Sequence, residues 1–107
     1  MSLRELAKRK KLPESFLKSL GVRQDGDRIS IRYADSNGVE QRRRFRLGLS
    51  SKDGVRWDGA GKIVPYGLWL RPKSNVILVE GESDCWVLWK MGYNALGLPG
   101  ATATGCL

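Results

Sequence analysis

The longest uninterrupted aliphatic run in the chain is Val76-Ile77-Leu78-Val79, and it ends on a carboxylate and a glycine, Glu80-Gly81. The run is far too short to cross a bilayer and lacks the polar alternation of a half-solvated strand. It therefore predicts a strand buried on both faces, Val76 to Glu80, of the kind found in parallel sheets. The residues after it agree with that expectation. Ser83 can cap a helix from Asp84 to Met91, Gly92 can end it, and Asn94 to Leu98 reads as a second short apolar strand. Strand, helix and strand at this spacing predict a βαβ unit with a parallel pair.

The front of the chain follows other periods. Ser2 is placed to cap a helix from Leu3 to about Lys11, with Glu5 at the third position of a capping box. Pro13 opens a second helix, Glu14 to Leu20, and Gly21 stops it. The run Lys8-Arg9-Lys10-Lys11 lies at the end of the first helix, where cations suit the dipole. Arg28 to Ala34 then alternates, Asp35-Ser36-Asn37-Gly38 forms a turn, and Val39 to Leu47 returns, rich in arginine.

Two registers compete for this hairpin. A two-residue Asn37-Gly38 turn pairs Ile31 with Arg44 and Ser30 with Phe45, which mixes polar and apolar side chains on each face. A three-residue Ser36-Asn37-Gly38 loop, with Gly38 left-handed, pairs Ile29 with Phe45 and Ile31 with Arg43. The second gathers Ile29, Ile31, Tyr33, Val39, Phe45 and Leu47 on one face and Arg28, Arg32, Arg42, Arg44 and Arg46 on the other. It is the register preferred from sequence. Crowded like charges repel, so such a face calls for phosphates, although a merely solvated face would look the same in sequence.

Residues 50–62 are polar and Gly-rich, reading as a loop with at most one short strand. Tyr66 to Leu70 reads as a strand and 71–75 as a connector. The resulting class is α+β: two short N-terminal helices, an antiparallel Arg-rich hairpin, and one βαβ unit. The expected division is a basic subdomain, 1–72, followed by the βαβ unit, 73–107.

Charge separates the two halves. Residues 1–50 hold 13 lysines and arginines against 6 acids, whereas 51–107 hold 6 against 5. A basic front joined to a nearly neutral rear points to a polyanionic partner, single-stranded DNA or another nucleic acid. Cys85 and Cys106 have no metal-ligand spacing and the chain has no histidine, so zinc is not expected. No secretory signal or membrane span is legible, so a cytoplasmic setting is the default, where a Cys85–Cys106 disulfide is not expected.

Glu80 ends a strand at the edge where open α/β sheets bind ligands, and Asp84 opens the helix. Two carboxylates so placed suit a divalent cation or a general base; equally, Glu80 could be solvated while Asp84 complements the helix dipole. The wider string, Glu80-Gly81-Glu82-Ser83-Asp84 with the trailing Ala95-Leu96-Gly97-Leu98-Pro99-Gly100-Ala101, resembles the first half of a TOPRIM domain. It is most similar to those of phage, plasmid and mobile-element DNA primases and primase-helicases. Residues 2–72 resemble the basic subdomain that precedes TOPRIM in those enzymes, through Leu12-Pro13-Glu14, Leu20-Gly21, Arg56-Trp57 and Tyr66-Gly67-Leu68-Trp69.

The resemblance implies Mg²⁺-supported nucleotidyl transfer on a single-stranded template. It assigns Glu80 to the catalytic TOPRIM glutamate, Glu80 and Asp84 to metal ligation, the hairpin arginines to template or primer contact, and Lys62 to nucleotide phosphates. The departure is as informative. TOPRIM sites are completed by a later Asp-x-Asp pair, yet no acid follows Asp84 and the chain stops at Leu107. Two carboxylates hold Mg²⁺ weakly at best, so no polymerase or nuclease activity is expected of this chain alone. The helix after Glu80 is apolar nearly all round, so either Trp86 or Trp89 is left exposed and invites a protein partner or self-association, or the first two helices rearrange to cover them. An alternative function is a small mobile-element inhibitor, for example against host defence, that reuses a primase-like scaffold to block a nucleic-acid-processing complex.

Overall fold

Ser2 opens the first helix in the computed structural model, which describes residues 1–48, 55–58 and 61–98. Its hydroxyl accepts the Glu5 amide at 3.1 Å and donates to Glu5 Oε1 at 3.0 Å, so the cap expected from sequence forms. Helix α1 spans Leu3–Lys10, and α2, entered through Pro13, spans Glu14–Ser19. Gly21 follows at φ +82°, a left-handed position with Arg32 packed close beside it.

A four-stranded antiparallel sheet comes next, in the order β1 (Arg23–Asp25), β2 (Arg28–Ile31), β3 (Arg43–Arg46) and β4 (Val55–Asp58). Strand β1 is an addition to the elements expected from sequence. It turns into β2 through Gly26-Asp27, where Gly26 sits at φ +62° and Asp25 pairs with Arg28. Gln24 ties β1 to the start of α1: its Oε1 accepts the Leu3 amide at 2.5 Å, and its Nε2 donates to the Met1 carbonyl at 2.8 Å.

The hairpin tip has the expected three-residue loop. Gly38 is left-handed at φ +80°, the Asp35 amide donates to the Val39 carbonyl at 2.9 Å, and Ala34 bridges Glu40. Asp35 braces the loop by accepting the amides of Asn37 and Val39 at 2.9 and 3.0 Å. Further along, however, the pairing is Ile29 with Arg46, Ser30 with Phe45 and Ile31 with Arg44, so the register preferred from sequence is not formed there. Ile31 lies three residues before Ala34, while its partner Arg44 lies four beyond Glu40. The return strand thus carries one extra residue, a bulge between Gln41 and Arg44.

Like-charge repulsion accounts for the slip. The unslipped register would set Arg28 opposite Arg46. In the sheet as formed, every paired arginine faces a residue that is not basic: Arg23 faces Ser30, Arg28 faces Asp25, Arg43 faces Asp58 and Arg56 faces Phe45.

The packing divides into two compact units, Met1–Arg32 with Arg42–Gly59, and Tyr33–Gln41 with Ala60–Leu107. In the first, Leu3, Leu6, Leu17, Val22, Ile29 and Ile31 are buried. In the second, β5 (Ile77–Val79) pairs in parallel with β6 (Ala95–Gly97), and α3 (Glu82–Lys90) connects them, so the βαβ unit forms. Helix α3 begins two residues earlier than expected. Gly81, with extended backbone, is its N-cap, and Ser83 falls inside the first turn. The expected strand Tyr66–Leu70 is not one: Tyr66 alone bridges Gly97, Gly67 turns left-handed at φ +98°, and Leu68–Leu70 forms a 3₁₀ turn. Nor is β5 buried on both faces, since Ile77 and Leu78 are exposed. Residues 49–54, 59–60 and 99–107, with Cys106 and the end of the TOPRIM-like string, lie outside the described residues. No helix among the described residues is long and apolar enough to cross a membrane.

Two glycines separate packing from backbone strain. A Cβ on Gly67 would lie 2.5 Å from Trp89 Cζ2 and 3.2 Å from the Ala95 carbonyl oxygen, while one on Gly26 would meet nothing within 4 Å. Gly67→Ala should therefore cost about 2–4 kcal/mol in urea denaturation, strain plus overpacking, and Gly26→Ala only about 1–2 kcal/mol of strain.

Candidate nucleic-acid interface and acidic strand tip

Because side chains alternate along a strand, the register fixes what each sheet face displays. One face collects Arg23 and Asp25 from β1, Arg28 and Ser30 from β2, Arg43 and Phe45 from β3, and Arg56 and Asp58 from β4. Each strand contributes one arginine. Phe45 and Ser30 are buried beneath them. Arg28 Cζ lies 3.8 Å from the Phe45 ring centroid, and Arg43 donates to Ser30 Oγ at 2.5 Å. A depression of about 350 Å³ opens here, lined by Arg23, Gln24, Asp25, Ser30, Arg43 and Phe45.

The five arginines expected to share a face do not. Only Arg28 belongs to this face. Arg44 and Arg46 point to the opposite side, with Ile29 and Ile31. Arg44 lies 5.4 Å from the Trp57 ring centroid, and Arg46 is buried and engaged within the fold. Arg32 and Arg42 are half-buried and lie outside the strands. Their places are taken by Arg23, Arg43 and Arg56. For Arg23 the sequence does hold a signal, the two-residue Gly26-Asp27 turn, which makes a strand of the residues before it. A second depression, of about 450 Å³, is lined by Ser2, Leu3, Arg4, Glu14, Lys18, Val22, Arg23 and Gln24. Each depression has a carboxylate in its lining, Asp25 in the first and Glu14, 3.8 Å from Lys18, in the second.

In the second unit, Glu80 follows β5 and is exposed, as is Asp84 in the first turn of α3. Glu82, between them in sequence, turns inward: it is buried and accepts a hydrogen bond from the buried hydroxyl of Tyr33. Among the described residues, no group of three or more His, Cys, Asp or Glu side chains is placed to hold a metal ion. The donors present do not fit a two-metal phosphoryl-transfer site, which needs several carboxylates around its ions. Lys62 is exposed, its amide donating to Gln41 Oε1 at 3.2 Å.

Trp86 and Trp89 do not form the expected open surface. Trp86 is fully buried and donates from Nε1 to the Tyr66 hydroxyl at 2.8 Å; Trp89 is half-buried and donates to the Ala95 carbonyl at 3.1 Å. Tyr66 stacks against Tyr33, Trp69 and Trp89 with centroids 4.9–5.2 Å apart, which supplies the cover. The exposed apolar side chains of this unit include Ile77, Leu78, Val87, Met91 and Tyr93 instead.

Comparison with protein-family models, with curated proteins and with solved structures finds no match for this chain.

Cys85 is a buried free thiol. Burial, with the Glu82 and then the Asp84 charge, pushes its pKa from 9.0 up to about 12. The folded state therefore favours the neutral thiol. Unfolding releases that proton once the pH exceeds 9.0, so stability falls as pH rises from there toward 12. In a Cys106→Ser background, thiolate absorbance should stay absent from the folded protein at about pH 10 and appear at once on unfolding. Replacing Cys85 by Ala should flatten the alkaline loss of stability.

Proposed function

We propose that this chain binds single-stranded nucleic acid through the arginine face of its antiparallel sheet, as a DNA primase-like protein whose TOPRIM-like βαβ unit does not catalyse on its own. The observation that carries the reading is the placement of Arg23, Arg28, Arg43 and Arg56, one from each strand, on a single face. A solvated surface gains nothing from concentrating guanidinium groups on one face, whereas a sugar-phosphate backbone releases counterions for each cation that meets it. The net charge of +8 supports the same partner at longer range. A cytoplasmic setting goes with this function.

Glu80 and Asp84 occupy the positions that the primase resemblance assigns to metal ligands, and as an exposed pair they would hold Mg²⁺ weakly. Mg²⁺-dependent strand synthesis or cleavage that Glu80→Ala abolishes would overturn the non-catalytic reading. A second reading, a primase-like scaffold that blocks another complex, draws support from the exposed Ile77, Leu78, Val87, Met91 and Tyr93.

Fluorescence anisotropy with single-stranded DNA tests the main reading. Affinity should fall steeply with salt, with a log–log slope of about −0.7 per phosphate met, about −2 to −3 for the whole face. Arg23→Glu and Arg56→Glu, both at exposed positions, should each flatten the slope by about 0.7. Salt-insensitive binding, or no binding at about 50 mM salt, would reject the interface.

A further inference from the structure

We infer that the arginine face carries a base-stacking platform: the Arg28 guanidinium, backed by Phe45 and pinned by Asp25, takes the flat face of an unpaired base while Arg23 takes the adjoining phosphate. This rests on the proposed nucleic-acid function and narrows its ligand to strands with accessible bases.

The four arginines are not equivalent. Arg28 is held on two sides. Its Cζ sits 3.8 Å from the Phe45 centroid, and its Nε and Nη2 each lie 3.2 Å from Asp25 Oδ2. The aspartate offsets much of the Arg28 charge and would repel a phosphate brought to the same spot. A guanidinium so held is a poor phosphate ligand, but it remains a rigid plane with one face against a ring. The Arg28 side chain is still 32% exposed, so the plane is covered on the Phe45 side and reachable from outside. Phe45 is only 5% exposed and cannot itself receive a base, which leaves Arg28 as the stacking surface.

The surroundings fit a nucleotide. The 350 Å³ depression is lined by Asp25 and Phe45, the two residues that hold Arg28, and is of the size small ligands occupy. Its polar walls divide the work. Gln24 is tied up by Leu3, Met1 and Gly26, so it shapes the wall without reading the ligand. Arg23 lies on the side away from the Asp25–Arg28 pair in register, opposite the neutral Ser30, whereas Arg43 is bonded to Ser30 and faces Asp58 on β4. A base over Arg28 thus places its phosphate toward Arg23. A base held in a duplex stack cannot lie on the platform, and every unpaired base has a π-face, so the site selects single strands with little regard to sequence.

The experiment compares the full chain binding to oligo(dA), oligo(rA), an abasic oligonucleotide and a duplex of equal length, by anisotropy at one salt concentration. Oligo(dA) and oligo(rA) should both bind about tenfold or more tightly than the abasic strand and the duplex, and whichever is tighter names the preferred strand. Arg28→Lys keeps the charge and loses the plane. It should erase the ratio of base-bearing to abasic binding while leaving abasic affinity within about twofold. Equal wild-type affinity for base-bearing and abasic strands overturns the platform but leaves the phosphate interface standing. An Arg28→Lys effect of equal size on both strands does the same. Absence of salt-sensitive binding to any of these strands overturns both. Should Arg28→Lys lose its native circular dichroism, the wild-type ratio decides alone.

Discussion

One residue more on the return strand than on its partner, between Gln41 and Arg44, governs what the antiparallel sheet can present. Side chains alternate, so a slip of one exchanges every face beyond it. Without the bulge, Arg44 and Arg46 would join Arg28 on one side, and the pairing would stack guanidinium against guanidinium. With it, Arg44 goes to the Ile29 and Ile31 side and lies near Trp57, while Arg43 moves across to share a face with Arg56. The cost is a buried Arg46, which is tolerable because that side chain is engaged rather than isolated. The benefit is a cationic face in which each arginine has a neutral or acidic residue directly opposite. Repulsion within the face is lowered while its charge is kept.

The same bulge sets the limit of what is legible in the sequence. The capped first helix, the Gly38 loop and the βαβ unit rest on local signals: a Ser-x-x-Glu box, a left-handed glycine, an apolar run followed by a helical period. Local signals are short-range physics, and the structure follows them. The arginine face differs from its expected membership because counting from the loop assigns the faces, and a bulge breaks the count. Apolar matching favours one register and charge opposition the other. The run Arg42-Arg43-Arg44, three adjacent arginines, leaves open which of them is displaced. Strand β1 is hidden for a simpler reason: Arg23-Gln24-Asp25 has no apolar member, and only the Gly26-Asp27 turn betrays it.

The second unit shows the same limit in another form. The string from Glu80 to Asp84 offers three carboxylates, and sequence alone treats Glu82 as the least informative of them. In the fold it is the one with a structural task, since the Tyr33 hydroxyl donates to it inside a cluster of aromatic rings. A buried carboxylate needs such donors, so Glu82 is fixed by the interior while Glu80 and Asp84 stay in solvent. The tryptophans follow from the same packing. A helix apolar on most sides suggests open indoles, but Tyr66 and Trp69 lie far enough back in the chain that no helical period relates them to Trp86 and Trp89. Coverage by a distant aromatic segment is tertiary information.

The two units bring different materials to function. The sheet unit has charge, planar groups and a depression, the ingredients of backbone and base contact. The βαβ unit has two exposed carboxylates without a third to join them among the described residues, and a set of exposed aliphatic and aromatic side chains. Phosphoryl transfer demands ions held by several oxygens at once, whereas strand binding demands only cations and flat surfaces in a suitable array. The array of arginines on the sheet is what the proposed strand binding rests on. In the proposed reading, Arg28 pinned by Asp25 and Arg23 opposite the neutral Ser30 are the means by which such a face would hold a base and a phosphate separately.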